Sequence, residues 1–185
     1  MSVSDDKKLI IMVEDNSIFA ETVKNGLENE LGFKVLHFST GEEMLVYLTN
    51  NPSVLPEIFI QDYYLDSVVA TAKNGGEILQ ELVQRYKQKK MVEDLRVIML
   101  TSSDEIRRAI ELLKKGATDY ILKDEVFFEN LKKTILNILK MKELRAERKQ
   151  FKDQAEKYKK RLIFVSIALT LVIVTLGIIY ILSKP

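Results

Sequence analysis

Carboxylates stand at the ends of two apolar runs in this 185-residue sequence. In residues 57–65, Glu-Ile-Phe-Ile-Gln-Asp-Tyr-Tyr-Leu, the preceding Pro56 cannot sit inside a central strand. Ile58, Phe59 and Ile60 form the short continuous apolar run of a strand covered on both faces, so Asp62 falls where that strand ends. Leu9, Ile10, Ile11, Met12 and Val13 make a second such run, which stops abruptly at Glu14, Asp15, Asn16 and Ser17. Asp15, Asn16 or Ser17 can cap a following helix, which accounts for one acidic residue and hardly for two. A lone Asp62 would read as a turn-former. Brought together, three carboxylates repel one another and call for protonation or a cation. Mg2+ is the economical answer: it takes oxygen ligands octahedrally, uses one or two carboxylates and keeps positions for water or phosphate oxygens. Beside such an ion a carboxylate can act as a nucleophile toward a phosphoryl group. Thr101, a hydroxyl donor, and Lys123, a compact positive charge, also follow apolar runs. Separately these are an ordinary helix cap and a solvated lysine; beside an acidic cluster they complete a site.

The residues can meet only if the apolar runs lie side by side. Phe19, Val23, Leu27 and Leu31 share one face of a helix after the first run. After Gly32, residues Phe33, Val35, Leu36 and Phe38 predict a strand. A helix then opens at Thr40, runs over Met44, Leu45 and Leu48, and is closed by Asn50, Asn51 and Pro52. The Asp62 strand is followed by a loop over residues 66–74, Gly75 and Gly76, and a helix containing Ile78, Leu79, Leu82 and Val83. Residues 95–100 predict a strand ending in Thr101, Ser102, Ser103 and Asp104. Ile106, Ile110 and Leu113 mark a helix stopped by Gly116, and Tyr120, Ile121 and Leu122 a short strand ending at Lys123. Five apolar strands alternating with helices predict an α/β protein, a flavodoxin-like doubly wound five-stranded parallel sheet. In the order 2-1-3-4-5 its ligand crevice lies over strands one and three, whose ends carry Glu14, Asp15 and Asp62.

With Glu14-Asp15, Asp62, Thr101 and Lys123 at the ends of strands one, three, four and five, the sequence resembles the receiver domain of two-component response regulators over residues 7–140. The resemblance implies that Asp62 accepts a phosphoryl group from a phosphohistidine on a sensor histidine kinase or phosphotransfer protein. It implies Mg2+ held by Glu14, Asp15, Asp62 and the backbone carbonyl of Tyr64, and phosphoryl oxygens bound by Thr101 and Lys123. Thr101 and Tyr120 match the family's switch residues, and Tyr64 and Ser103 stand where the family tunes the lifetime of the aspartyl phosphate. Beyond the residues at Tyr64 and Ser103, the sequence departs from the family pattern at two further places. Asp124 stands where proline usually follows the lysine in a cis peptide, and the loop after Asp62 is longer than usual and lacks its common proline.

The remainder of the chain is of another kind. Residues 1–6 read as a flexible, polar N-terminus, and residues 162–182 carry no charge. At about 1.5 Å per residue this apolar run spans about 31 Å, the hydrocarbon thickness of a bilayer, and predicts a transmembrane helix. Lys157, Lys159, Lys160 and Arg161 precede it, which by the positive-inside bias leaves the receiver in the cytoplasm of a C-terminally anchored, single-pass protein with the short tail 183–185. The absence of cysteine suits a reducing compartment. The near-neutral total charge hides a split. Residues 1–125 hold 15 Lys and Arg against 22 Asp and Glu, a balance of −7; residues 126–161 hold 12 against 5, a balance of +7. Next to a membrane, such a basic segment meets anionic lipid rather than nucleic acid. Residues 141–161 predict a basic helical linker. Leu144, Phe151, Tyr158 and Val165 recur every seven residues beside Met141, Arg148, Ala155 and Leu162, so a coiled coil, and with it a homodimer, is open to the chain, as is a single solvated helix.

The expected function is therefore that of a membrane-anchored single-domain response regulator. It would be phosphorylated on Asp62 and signal to an unidentified downstream protein by contact rather than as an enzyme. The alternative is a receiver-like scaffold that no longer cycles. A phosphatase of the aspartyl-phosphate kind would need a second Asp where Tyr64 stands, and a flavin phosphate would face Glu14 and Asp15. The single histidine, His37, sits on an apolar strand and reads as structural.

Overall fold

The apolar runs become strands because each can be covered on both faces. The computed structural model describes residues 8–65, 73–101 and 106–182. Among these, β1 (Leu9–Val13), β2 (Lys34–Phe38), β3 (Ile58–Asp62), β4 (Val97–Thr101) and β5 (Asp119–Leu122) form one parallel sheet in the order β2-β1-β3-β4-β5. The helices are α1 (Ser17–Leu31), α2 (Gly41–Asn50), α3 (Gly75–Gln88), α4 (Ile106–Lys115) and α5 (Phe127–Leu182). The expected class and strand order are thus both present. Alternate side chains of the central strands serve two cores. Ile11, Val13, Phe59, Val97 and Met99 belong to one buried cluster with Met44 of α2 and Ile78, Leu79 and Leu82 of α3. Their neighbours Ile10, Met12, Ile58, Ile60, Ile98 and Leu100 are equally buried, as are Val23 and Leu27 of α1 and Leu131 and Ile135 of α5.

The helix starts follow from short polar residues. Asn16 caps α1 by accepting from the Phe19 amide at 3.1 Å, Thr40 caps α2 from the Glu43 amide at 3.3 Å, and Asn74 with Glu77 forms a capping box on α3. Gly116, at φ 112°, ends α4 in a conformation that a side chain would resist. Two strands begin later than the sequence expectation. Leu95 does not open β4; it closes a 3-10 turn (Val92–Asp94) and is buried from there, and the strand begins at Val97. Phe33 is buried just ahead of β2 rather than within it. An apolar residue at the edge of a run can enter the core from a turn as well as from a strand, and hydropathy alone does not distinguish them.

The chain divides into two compact units, Met1–Asn137 and Ile138–Pro185. In the second, the described side chains from residue 140 onward are exposed, and the helix is long and apolar enough to cross a membrane.

Candidate functional site

Each functional side chain sits within two residues of a strand's C-terminal end, and backbone bonds carry the ladder just past that end. The Glu14 amide donates to the Phe38 carbonyl at 3.1 Å, the Tyr63 amide to Leu100 at 3.1 Å and the Lys123 amide to Thr101 at 2.9 Å. The loops therefore leave the sheet from fixed points. Glu14, Asp15 and Asp62 each place a carboxylate oxygen so that all three lie within 4.8 Å of one another. Glu14 and Asp62 are buried, Asp15 is half-buried, and Thr101, the last residue of β4, is fully buried.

Lys123 closes the cluster. Its Nζ donates to Glu14 Oε2 and to Asp62 Oδ2, both at 2.7 Å, and lies 4.6 Å from the centroid of the Phe19 ring. Asp62 Oδ1 accepts from the Tyr63 amide at 2.7 Å, and Glu14 Oε1 from the Asn16 amide at 3.4 Å. Burial above all, and then the nearby Asp62 carboxylate, pushes Glu14 up to about 7 despite Lys123. Burial likewise raises Asp62 above the usual aspartate range, against the opposing pull of Lys123. For Lys123 burial works against the charge, yet Asp62 and Glu14 outweigh it and hold its pKa above that of a free lysine. One ammonium is thus shared by two buried carboxylates, with the Asp15 carboxylate close beside them.

The surroundings fix this geometry. His37 Nε2 lies 2.7 Å from the Glu14 carbonyl, which makes the histidine a brace between β2 and the end of β1, the structural place expected for it. Buried Gln61 reaches from β3 to the Gly75 carbonyl at 2.9 Å, and the Gly75 amide donates to Tyr63 at 2.8 Å. A Cβ at Gly75 would stand 2.3 Å from the Asp62 carbonyl oxygen and 2.8 Å from Tyr63 Cα, so α3 packs directly on the Asp62 turn. Tyr64 is exposed, its ring edge-on to Tyr63 at 5.1 Å, and Tyr120 pairs with Met99 in the sheet and packs half-buried against the core. Ser103 and residues 66–72 of the long loop lie outside the described residues. No cis peptide occurs among the described residues, so the Lys123–Asp124 bond is trans. Where the family's proline would stand, Asp124 builds a turn, accepting from the Val126 amide at 3.1 Å on its side chain and from Phe127 at 3.1 Å on its carbonyl.

The structure brings Glu14, Asp15, Asp62 and Lys123 together and sets Thr101 on the strand beside Asp62. Sequence reasoning missed Phe19 under the lysine, the Tyr63 amide on Asp62 and the contact at Gly75. Phe19 was legible only as one more apolar position of α1, and Gly75 only as a loop glycine.

The family model described as "Response regulator receiver domain" matches residues 10–136. The transcriptional regulatory protein DegU of Brevibacillus brevis is 30% identical over 122 residues, 66% of this chain and 46% of that one. The chemotaxis protein CheY homolog of Campylobacter jejuni is 30% identical over 114 residues, 62% of this chain and 79% of that one. The chain thus spans about half the length of DegU and most of the CheY homolog. Among solved structures, a response regulator receiver domain protein from Clostridium thermocellum superposes with a TM-score of 0.60 at 27% identity, covering 74% of this chain and 98% of that one.

Proposed function

This chain belongs to the response regulator receiver family, and from that membership we propose that it takes a phosphoryl group on Asp62 from a phosphohistidine of a sensor histidine kinase or phosphotransfer protein. The observation that carries the reading is the Asp62 carboxylate at the end of β3, 2.7 Å from Lys123 and clustered with Glu14 and Asp15. In the transfer, an Asp62 carboxylate oxygen attacks phosphorus, the P–N bond to the donor imidazole breaks, and the imidazole leaves with its electron pair, giving an acyl phosphate. Ionised Asp62 is the reactive form, and Lys123 favours that form against the cost of burial. As charge moves onto the new phosphoryl group, the Lys123 ammonium can follow it from Asp62, and the Thr101 hydroxyl can donate to it from the neighbouring strand.

The donor set fits Mg2+: hard carboxylate oxygens lie in mutual reach, and burial together with the neighbouring Asp62 carboxylate raises Glu14, a cost that a bound cation offsets. Glu14, Asp15, Asp62 and the Tyr64 carbonyl would hold the ion. When bound, it neutralises phosphoryl oxygens and lets an anionic donor approach an anionic nucleophile.

The phosphorylated state is then read by a downstream protein through surface contact, with Tyr120 and Thr101 as the switch residues and Tyr64 and Ser103 setting the lifetime of the acyl phosphate. The apolar stretch of α5 anchors the chain in a membrane with the receiver on the cytoplasmic face, where Lys157, Lys159, Lys160 and Arg161 meet anionic headgroups. The protein is a switch, neither an enzyme with a turning-over substrate nor a nucleic-acid binder. Intact mass of the full chain after incubation with acetyl phosphate tests the acceptor chemistry. One added phosphoryl group, dependent on Mg2+ and absent in Asp62→Asn, is expected; equal incorporation in the variant overturns the assignment.

A further inference from the structure

Among the described residues, the linker part of α5 carries a helical face whose side chains are exposed. Phe151 and Tyr158 are 71% and 65% exposed, and Met141, Leu144 and Leu162 on the same face are exposed as well. Unpaired aromatic rings on a charged helix are costly unless something buries them. Their spacing assigns Met141, Arg148, Ala155 and Leu162 to one column of a heptad seam and Leu144, Phe151, Tyr158 and Val165 to the other.

A surface groove on this helix is lined by Leu144, Glu147, Arg148, Phe151, Lys152 and Ala155. In a parallel two-stranded coiled coil, a knob at the Arg148 position enters a hole formed by Leu144, Glu147, Arg148 and Phe151, and the next knob, at Phe151, enters one formed by Arg148, Phe151, Lys152 and Ala155. The union of the two holes is the same six residues. We propose that two copies of this chain pair in parallel and in register through this seam, with Arg148 of each copy beside Glu147 of the other.

Charge selects this arrangement. In parallel pairing, Glu147 of one helix flanks Arg148 and Lys152 of the second copy, an attractive layer on both sides of the seam. Lys140 comes opposite Arg145 of the second copy, but its ammonium is already paired with Glu143 at 3.0 Å. In an antiparallel pairing the flank of Arg145, Lys152 and Lys159 would face its own like charges. Anchoring acts in the same direction, since two chains inserted with one topology in one membrane present their linkers side by side and parallel. To that extent the orientation rests on the membrane reading. The buried polar layer at Arg148 fixes the register at some cost in stability, the role polar seam residues play in two-stranded coils.

The sequence has no cysteine, so single cysteines report the pairing without background. The full chain, reconstituted in vesicles of phosphatidylcholine and phosphatidylglycerol, is oxidised with Leu144→Cys, Phe151→Cys, Tyr158→Cys or, on the opposite face, Asp153→Cys. The expected result is same-position disulfide dimers at 144, 151 and 158 and none at 153. Cross-linking at 153 equal to the seam positions, no cross-linking anywhere, or cross-linking of 144 only to 158 in mixed variants overturns the proposal. Flotation of the same vesicles reports insertion separately, so a failed anchor is told apart from a failed dimer. With 151 as reporter, Arg148→Glu should weaken dimerisation about tenfold on dilution in lipid, by turning two attractive contacts repulsive, and the double exchange Glu147→Arg, Arg148→Glu should restore it. An unaltered R148E dimer, or no rescue, refutes the register. Acetyl phosphate labelling of Asp62 in every variant verifies that the receiver is folded.

Discussion

Lys123 is the residue on which the site turns, because its ammonium satisfies two buried carboxylates at once. Removing one partner of a buried ion pair leaves the other uncompensated, at about 3–5 kcal/mol. Lys123→Met should therefore destabilise the Mg2+-free protein by that amount at about pH 8 and by less at about pH 5, where Glu14 can take up a proton; paired urea titrations measure it. Acyl phosphate formation in the same variant should slow at least about tenfold, since the charge that favours ionised Asp62 is gone. Glu14 supplies a pH dependence in the neutral range. A carboxyl raised from 4.5 to about 7 holds a proton longer in the folded state, so its contribution to stability is full at low pH and is lost as pH rises from 4.5 to about 7. Glu14→Gln should remove this slope from the Mg2+-free urea midpoint. Mg2+ must displace the same proton, so its affinity should climb about tenfold per pH unit below 7 and level off above it, as calorimetric titration would show. These groups were legible in the sequence because each ends an apolar run. Their electrostatics were not, because burial of Glu14 and its sharing of Lys123 with Asp62 depend on residues more than a hundred positions apart.

At the scale of elements, the runs at residues 9–13 and 58–60 were legible as strands because a parallel sheet covered on both faces leaves no polar alternation to confuse the reading. Asp15, Asn16 and Ser17 were equally open as the cap of α1, which Asn16 fills, while the cap at Thr40 was legible as a short polar residue ahead of a periodic apolar face. The 3-10 turn that takes Leu95 out of β4 was not, since it is set by local backbone bonds, Asp94 to Met91 and Leu95 to Val92, that hydropathy does not report. Nor was the packing of α3 on the Asp62 turn. There a methyl group at Gly75 meets backbone atoms that cannot rotate away, so Gly75→Ala should destabilise the receiver by about 1–3 kcal/mol in urea unfolding. Because the displaced atoms belong to Asp62 and Tyr63, the same substitution should lower Mg2+ affinity, whereas a loss of stability from a remote core site would leave it unchanged. Equal Mg2+ affinity in Gly75→Ala would contradict the contact's role in holding the site.

The whole molecule joins an acidic receiver to a basic, then apolar, helix, and the charge split at residue 125 was visible from composition alone. If the apolar stretch is an anchor, full-length protein should float with phosphatidylcholine–phosphatidylglycerol vesicles and resist alkaline extraction, and deletion of residues 162–182 should abolish both. With the anchor deleted, residual binding through Lys157, Lys159, Lys160 and Arg161 should fall steeply between low and physiological salt, because exposed charges are screened over about 8–10 Å. Anchored and active, the receiver would meet membrane-bound kinases at a raised local concentration without any new contact surface. All of this presupposes that Asp62 is the residue that carries the phosphoryl group. Borohydride reduction of the acetyl phosphate-treated protein, followed by peptide mass spectrometry, tests that most directly, because it converts an aspartyl phosphate to homoserine at the position that held it. Homoserine at residue 62, formed only when Mg2+ and the phosphodonor are both present, is the predicted result; homoserine at Asp15 instead, or phosphate retained on His37 or a serine or threonine with residue 62 unmodified, would contradict the account.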